Sequence, residues 1–190
     1  MKYKDGKTKI DGYRKQIKTL REEMRAAQNE LEPQVVEDYA LATTSGPVKL
    51  SDLFGDKKDL IVIHNMGASC PYCTLWADGY NGVAEHLADR AAFVVVSPDA
   101  PAAQKKFADS RGWRFPMASH GGGKFADDMG YKSEKGGWLP GVSVFRKDGD
   151  KVLRVSDTAL GPYDDFCSVW HLFDMIPGGA AGWGPKFKYA

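Results

Sequence analysis

Two cysteines stand three positions apart in Cys70-Pro71-Tyr72-Cys73, a spacing that lets one sulfur attack a disulfide while the other resolves the product. The attacking species is the thiolate, so the surroundings must favour the anion of one cysteine. A helix that begins at the motif does this. Its unpaired backbone N–H groups and the positive end of its dipole take a thiol pKa from about 8.5 into the range of roughly 3.5 to 7.5. A structural zinc site uses the same spacing but needs two further ligands, and only Cys167 and four scattered histidines remain. Neither a metal nor a cofactor is expected.

The flanking sequence supplies the elements that hold such a dithiol. Leu60-Ile61-Val62-Ile63 is apolar and rich in β-branched residues, the composition of a strand buried on both faces, and it ends at His64. Leu75, Trp76, Tyr80, Val83 and Leu87 then recur at helical spacing. A helix over about 71–89 follows, with Cys70 at or just before its N-terminus and Cys73 in its first turn. A second strand (92–97) and helix (100–111) repeat the unit, and two βα units in succession predict parallel strands joined by a right-handed crossover. Residues 113–118 read as a short extended piece, and Gly121-Gly122-Gly123 opens an irregular insertion with a short helix over 125–129. Strands over 142–145 and 151–156 flank Lys147-Asp148-Gly149-Asp150, a hairpin signal. A last helix follows Gly161-Pro162, with Phe166, Val169, Trp170 and Phe173 on its apolar face. Upstream, residues 35–41 and 48–50 add edge strands around a turn at Gly46-Pro47.

The boundaries expected from this pattern are a charged helical arm over 1–33, a core domain over 34–176 and a glycine-rich tail over 177–190, anchored by Trp183 and Phe187 or by nothing. In the arm, residues 13–32 carry Ile17, Leu20, Met24, Ala27 and Leu31 at spacings of three and four, a narrow apolar stripe. Such a stripe packs on its own domain or on a second copy of the chain, as a homodimer through the N-terminal helix; both readings stay open.

With 190 residues and 43% hydrophobic content, the chain can bury a full core. A formal net charge of +1 argues against a polyanion-binding surface, so nucleic acid is not an expected partner. No apolar run approaches the 18 or so residues of a membrane span, and the four lysines among the first ten residues have no apolar stretch behind them. Three cysteines, two of them in one motif, are unlike a secreted disulfide framework. A cytoplasmic protein with no membrane partner is expected.

The element order βαβα followed by ββα, with the dithiol after the first core strand and Leu139-Pro140 just before the hairpin, resembles the thioredoxin fold. That resemblance implies a three-layer α/β/α architecture around a central mixed β-sheet, here with an N-terminal helical extension and an insertion before the final β-hairpin. It also implies that Pro140 is held in cis opposite the dithiol. Asp38-Tyr39-Ala40-Leu41, Val48-Lys49-Leu50-Ser51-Asp52-Leu53 and Phe125-Ala126-Asp127-Asp128-Met129-Gly130-Tyr131 are similar to the peroxiredoxin-like branch. Three blocks look like a bacterial family of uncharacterised thioredoxin-like proteins with a CPxCxxWAD motif. They are Cys70-Pro71-Tyr72-Cys73-Thr74-Leu75-Trp76-Ala77-Asp78, Gly112-Trp113-Arg114-Phe115-Pro116 and Pro140-Gly141-Val142-Ser143-Val144-Phe145-Arg146-Lys147-Asp148-Gly149. The resemblance spans roughly residues 35–180 and specifies fold better than activity.

The leading reading is a redox-active disulfide: Cys70 is the exposed nucleophile, Cys73 the buried resolving thiol, and the partner a protein or small-molecule thiol or disulfide. His64 lies six residues before Cys70, where thioredoxins place a buried carboxylate; it either moves a proton to Cys73 or hydrogen-bonds the end of its strand. Asn65 and Ser69 are candidate donors to the thiolate, and Tyr72, Trp138 and Leu139, with Pro140, form the candidate substrate surface. Trp76 and Cys167 read as core, and His120 as part of the insertion. Two alternatives remain. One is thiol peroxidase chemistry, for which the peroxiredoxin resemblance implies Pro and Thr or Ser seven and three residues before the reactive cysteine; this chain has Ile63 and Gly67 there. The other is a redox-inert binding module using the Pro140 face.

Overall fold

Strand pairing in the computed structural model, which describes residues 1–189, follows from the two buried βα units. β4 (Asp59–His64) and β5 (Ala92–Ser97) run parallel, joined by α2 (Pro71–Arg90), and α3 (Pro101–Arg111) leads to the parallel β6 (Met117–Ser119). β7 (Gly141–Asp148) and β8 (Lys151–Ala159) form an antiparallel hairpin beside β4. Gly149 takes the positive φ, +58°, that the tight turn between them requires. Three short strands close the edges: β1 (Gln34–Val36) on β8, and β2 (Ala40–Thr43) with β3 (Gly46–Lys49) beyond β6. The sheet therefore has eight strands in the order β1-β8-β7-β4-β5-β6-β2-β3.

Period-two alternation sorts the central strands between two cores. Leu60 and Val62 of β4 join Val94 and Val96 of β5 in a cluster with Leu50 and Phe54 from a 3-10 turn and Phe125 from α4 (Lys124–Asp128). Ile63, Phe93 and Val95 face the other way, against Cys73, Trp76, Ala77, Tyr80 and Ala84 of α2 and Trp170 of α5 (Ser168–Phe173). Both faces of the sheet are covered, giving the α/β/α layering expected, with the insertion preceding the hairpin.

Several elements differ from expectation for local reasons. Of the extended piece over 113–118 only Met117 and Ala118 join a strand, because Trp113 and Phe115 stack on each other at 5.4 Å and the Trp113 indole N–H donates to Asp78 at 2.8 Å. Val83 is 44% exposed; the buried stripe of α2 runs instead through Cys73, Ala77, Tyr80 and Ala84. No cis peptide bond occurs among the described residues, so the Leu139–Pro140 bond is trans, correcting the cis expectation. The Leu139 N–H donates to Tyr131 O at 2.9 Å and Leu160 N–H to Pro140 O at 3.0 Å, ties that carry an ordinary trans chain straight into β7.

The chain divides into two units, Met1–Pro33 and Gln34–Ala190. The first is one helix, α1 (Tyr3–Asn29), which starts ahead of the expected position 13. Lys7–Asp11 at 2.7 Å and Arg14–Asp11 at 3.1 Å support its early turns, the second pair spanning Gly12. Among the described residues no helix is long and apolar enough to cross a membrane.

Candidate functional site

The loop 65–69 carries the chain from β4 to the dithiol, and its shape is set by two side-chain acceptors, one buried and one half-buried. Asn65 Oδ1 accepts from Gly67 N–H at 2.8 Å, and Asp99, just beyond β5, accepts from Ala68 N–H at 2.8 Å. Gly67 has φ +107°, and a Cβ there would lie 2.9 Å from the Asp99 carboxylate; only glycine lets the loop close on that side chain. The Gly67 carbonyl then accepts the Cys70 N–H at 3.1 Å.

Cys70 is the N-cap of α2, followed by Pro71 in the first helical position, where a missing N–H costs nothing. Its sulfur accepts the Cys73 N–H at 3.1 Å, and its carbonyl accepts the Thr74 hydroxyl at 2.9 Å. Turning inward to cap the helix leaves Cys70 9% exposed and Cys73 2%, so the nucleophile is less open than expected. The Cys73 sulfur accepts from the Met66 N–H at 3.4 Å.

These contacts separate the two thiols. A hydrogen bond from the Cys73 thiol, helped by the Cys73 and Tyr72 N–H groups, lowers the Cys70 pKa from 9.0 to about 7 against the opposing effect of burial. The same hydrogen bond and burial push the Cys73 thiol well above its ordinary value. Near neutral pH one sulfur is thus substantially thiolate and its neighbour holds the proton.

The remaining candidates divide between the faces of the sheet. His64 has the strand parity of Leu60 and Val62 and stacks on Tyr131 at 4.0 Å and Phe125 at 5.3 Å, away from the cysteine cluster. Its Nε2 lies 2.9 Å from Ser143 Oγ, and burial pushes its pKa down to about 3, which keeps the ring neutral. Trp138 packs on the same side as His64, edge-on to His120 at 4.4 Å with Lys132 over its face. Tyr72 does lie with the dithiol, half-buried between Trp76 and Trp170. Pro140 is at the dithiol end of the sheet, since its neighbour Gly141 pairs with His64, and Leu139 is 41% exposed beside it. Ser69 is exposed on the loop.

Two contributors, Asp99 and Asp164, had no place in the sequence reading. Asp99 braces the loop across a separation of 31 residues. Asp164 accepts from the Trp76 indole N–H at 3.4 Å while capping its own turn through Gly161 and Phe166 N–H groups. The glycine-rich tail is packed: Trp183 lies edge-on to Trp170 and Phe173, in the cluster that contains the cysteines. Only the Asp99 and Asp164 turn chemistry carried any local signal. Cys167, 5% exposed and in that cluster, has its thiol pushed up by burial, consistent with a core residue. Among the described residues no group of three or more acidic, histidine or cysteine side chains is arranged to hold a metal ion.

Comparison with known proteins bears on fold and family. Residues 6–186 match a family described as bacterial protein of unknown function (DUF899). No curated protein matches the sequence. Among solved structures, the peroxidoxin BcpB from Mycobacterium tuberculosis is similar at 30% identity and a TM-score of 0.54, over 67% of this chain and 84% of that one. Reduced Prx3 from Vibrio vulnificus aligns at 15% identity and a TM-score of 0.58, over 70% and 89% of the two chains. Peroxiredoxin Q from Xanthomonas campestris aligns at 19% and 0.58, over 70% and 87%. The fold is therefore thioredoxin-like, in the form that peroxiredoxins share.

Proposed function

The chain belongs to the bacterial DUF899 family, and we propose that it is a thiol-disulfide oxidoreductase in which Cys70 is the nucleophile and Cys73 the resolving thiol. The observation that carries this reading is the geometry at the start of α2, where Cys70 caps the helix with its sulfur 3.1 Å from the Cys73 N and Cys73 lies buried behind it, an arrangement that lowers the Cys70 pKa and raises that of Cys73.

The Cys70 thiolate attacks one sulfur of a partner disulfide; a Cys70–partner disulfide forms, and the other partner sulfur leaves as a thiolate and takes a proton from water. Bonding at Cys70 removes the anion that held the Cys73 proton, so the largest cause of the raised Cys73 pKa disappears at the moment Cys73 is needed. Cys73 then loses its proton to water with the Met66 N–H still directed at its sulfur, and attacks the Cys70 sulfur. The second partner sulfur leaves as a thiolate and takes up a proton from water, and the protein holds a Cys70–Cys73 disulfide. Two electrons have passed to the partner; an external dithiol reverses the sequence. Buried His64, neutral and on the other face, takes no part in the proton transfer.

The similarity to the BcpB peroxidoxin favours a second reading, reduction of a hydroperoxide by Cys70. Against it, the hydrogen bonds that lower the Cys70 pKa come from Cys73 and Tyr72 with no cationic side chain among them, and Gly67, where the peroxiredoxin pattern has Thr or Ser, offers no side-chain hydroxyl to orient a peroxide.

Single-turnover kinetics followed by the fluorescence of Trp76 and Trp170 separates the two. With a small linear disulfide, the expected rate rises as pH increases through about 7 and levels off above it, because the thiolate is the reacting form. With hydrogen peroxide the rate expected is that of an ordinary thiolate. Peroxide reacting orders of magnitude faster than the disulfide overturns the proposal in favour of the peroxidase.

A further inference from the structure

α1 has no interior of its own, and its apolar residues form a seam instead of a broad face. Ile10, Tyr13, Ile17, Leu20, Met24 and Ala27 alternate at steps of three and four, with Leu31 continuing just past the helix end. This is the heptad a/d pattern, held from Ile10 to Ala27 within a helix of 27 residues, about 40 Å long; Gly6 occupies the d position ahead of it. The flanking e and g positions are Lys7, Arg14, Arg21, Gln28 and Lys9, Gln16, Glu23, Glu30, all polar. A helix that packs on a globular domain shows a wider apolar stripe; a strict a/d stripe is a two-helix seam.

Charge then distinguishes the orientations. Over residues 2–18, seven Lys and Arg face two Asp, a net +5, whereas over 19–32 two Arg face four Glu, a net −2. Two parallel copies lay basic half on basic half, and the interhelical g-to-e contacts join Lys9 to Arg14 of the second copy. Two antiparallel copies lay basic on acidic. With Ile17 opposite Leu20 of the second copy, the layers Ile10–Ala27 and Tyr13–Met24 also match an a residue to a d residue. Lys9 then lies beside Glu30 of the second copy, twice by symmetry; the Arg14–Arg21 approach is the unfavourable contact of this register.

We infer that α1 is a self-association element: two copies of the chain pair through antiparallel N-terminal helices, with Ile10, Tyr13, Ile17, Leu20, Met24 and Ala27 forming the seam. The interface lies outside the thioredoxin-like unit and stands independently of the proposed redox chemistry.

Sedimentation equilibrium of the full chain tests this. The wild type is expected at twice the chain mass of 20.9 kDa, and the double variant Ile17→Glu, Leu20→Glu at the chain mass, with the thermal transition of the remaining domain unchanged. Lys9→Glu separates the orientations with every seam residue kept, its contact with the seam being the Lys9 ammonium 5.9 Å from the centre of the Tyr13 ring. The antiparallel pair loses two attractions, raising the dimer Kd by roughly tenfold, and adding Glu30→Lys restores it. A monomeric wild type, a double variant that remains dimeric, or a Lys9→Glu dimer tighter than wild type would each overturn the inference.

Discussion

A Cys73→Ser protein exposed to a small disulfide is expected to accumulate one stable adduct on Cys70 per chain, released by dithiothreitol, whereas Cys70→Ser accumulates none and loses disulfide reduction down to the uncatalysed background. The asymmetry follows from the geometry of the first turn of α2. The backbone N–H at position 73 caps the Cys70 sulfur at 3.1 Å whatever the side chain, so the serine variant keeps much of the support for the thiolate. What it loses is the second sulfur, without which the mixed disulfide has no exit. In Cys70→Ser the remaining thiol is 2% exposed, so an incoming disulfide reaches it poorly. Mass spectrometry of the intact protein reads both results. Equal labelling of the two variants would mean that the roles of the cysteines are not distinct.

The second large effect is structural. Gly141 begins β7 opposite His64, and the ring of Tyr131 lies against its backbone; a Cβ at position 141 would stand 1.8 Å from Tyr131 Cε1. Tyr131 cannot swing away. It is 4% exposed, stacks on His64, and its hydroxyl lies 2.9 Å from Val142 O and 3.1 Å from Thr158 O across the β7–β8 hairpin. Gly141→Ala therefore forces a central strand or a buried ring out of place, an expected loss of about 3 kcal/mol or more. For a chain of this size that lowers Tm by about 6–12 °C. Adding Tyr131→Leu removes the atoms that the alanine meets, so the double variant should be more stable than the two single losses predict together. A Gly141→Ala protein that melts with the wild type would show that Tyr131 does not pack on the strand in this way.

Local chemistry made the dithiol legible in the sequence: two cysteines, a proline at the first helical position and a β-branched strand ahead of them lie within 15 residues. The same is true of β4, β5, α2 and the Asp148-Gly149 turn, whose composition matches one backbone state. The face on which His64 lies was not legible. Strand parity groups it with Leu60 and Val62, yet nothing in the strand says which parity meets α2. The packing of Trp138 on the His64 side was illegible for a related reason, since its partner His120 sits at the far end of an irregular insertion. Asp99 and Asp164 act through pairings formed only by tertiary folding, and proline alone does not report its isomer. Cys70 is buried because, as the helix cap, its sulfur turns inward onto the Cys73 N–H, a tertiary outcome that motif spacing does not contain.

The most direct test of the account is the redox equilibrium of Cys70 and Cys73 in glutathione buffers of graded potential, read by thiol trapping and mass. The account predicts one two-electron transition in which both cysteines leave the free thiol pool together as an intramolecular disulfide, while Cys167 stays reduced and buried. Cysteines that remain reduced throughout, or that accept glutathione singly without joining each other, would contradict it.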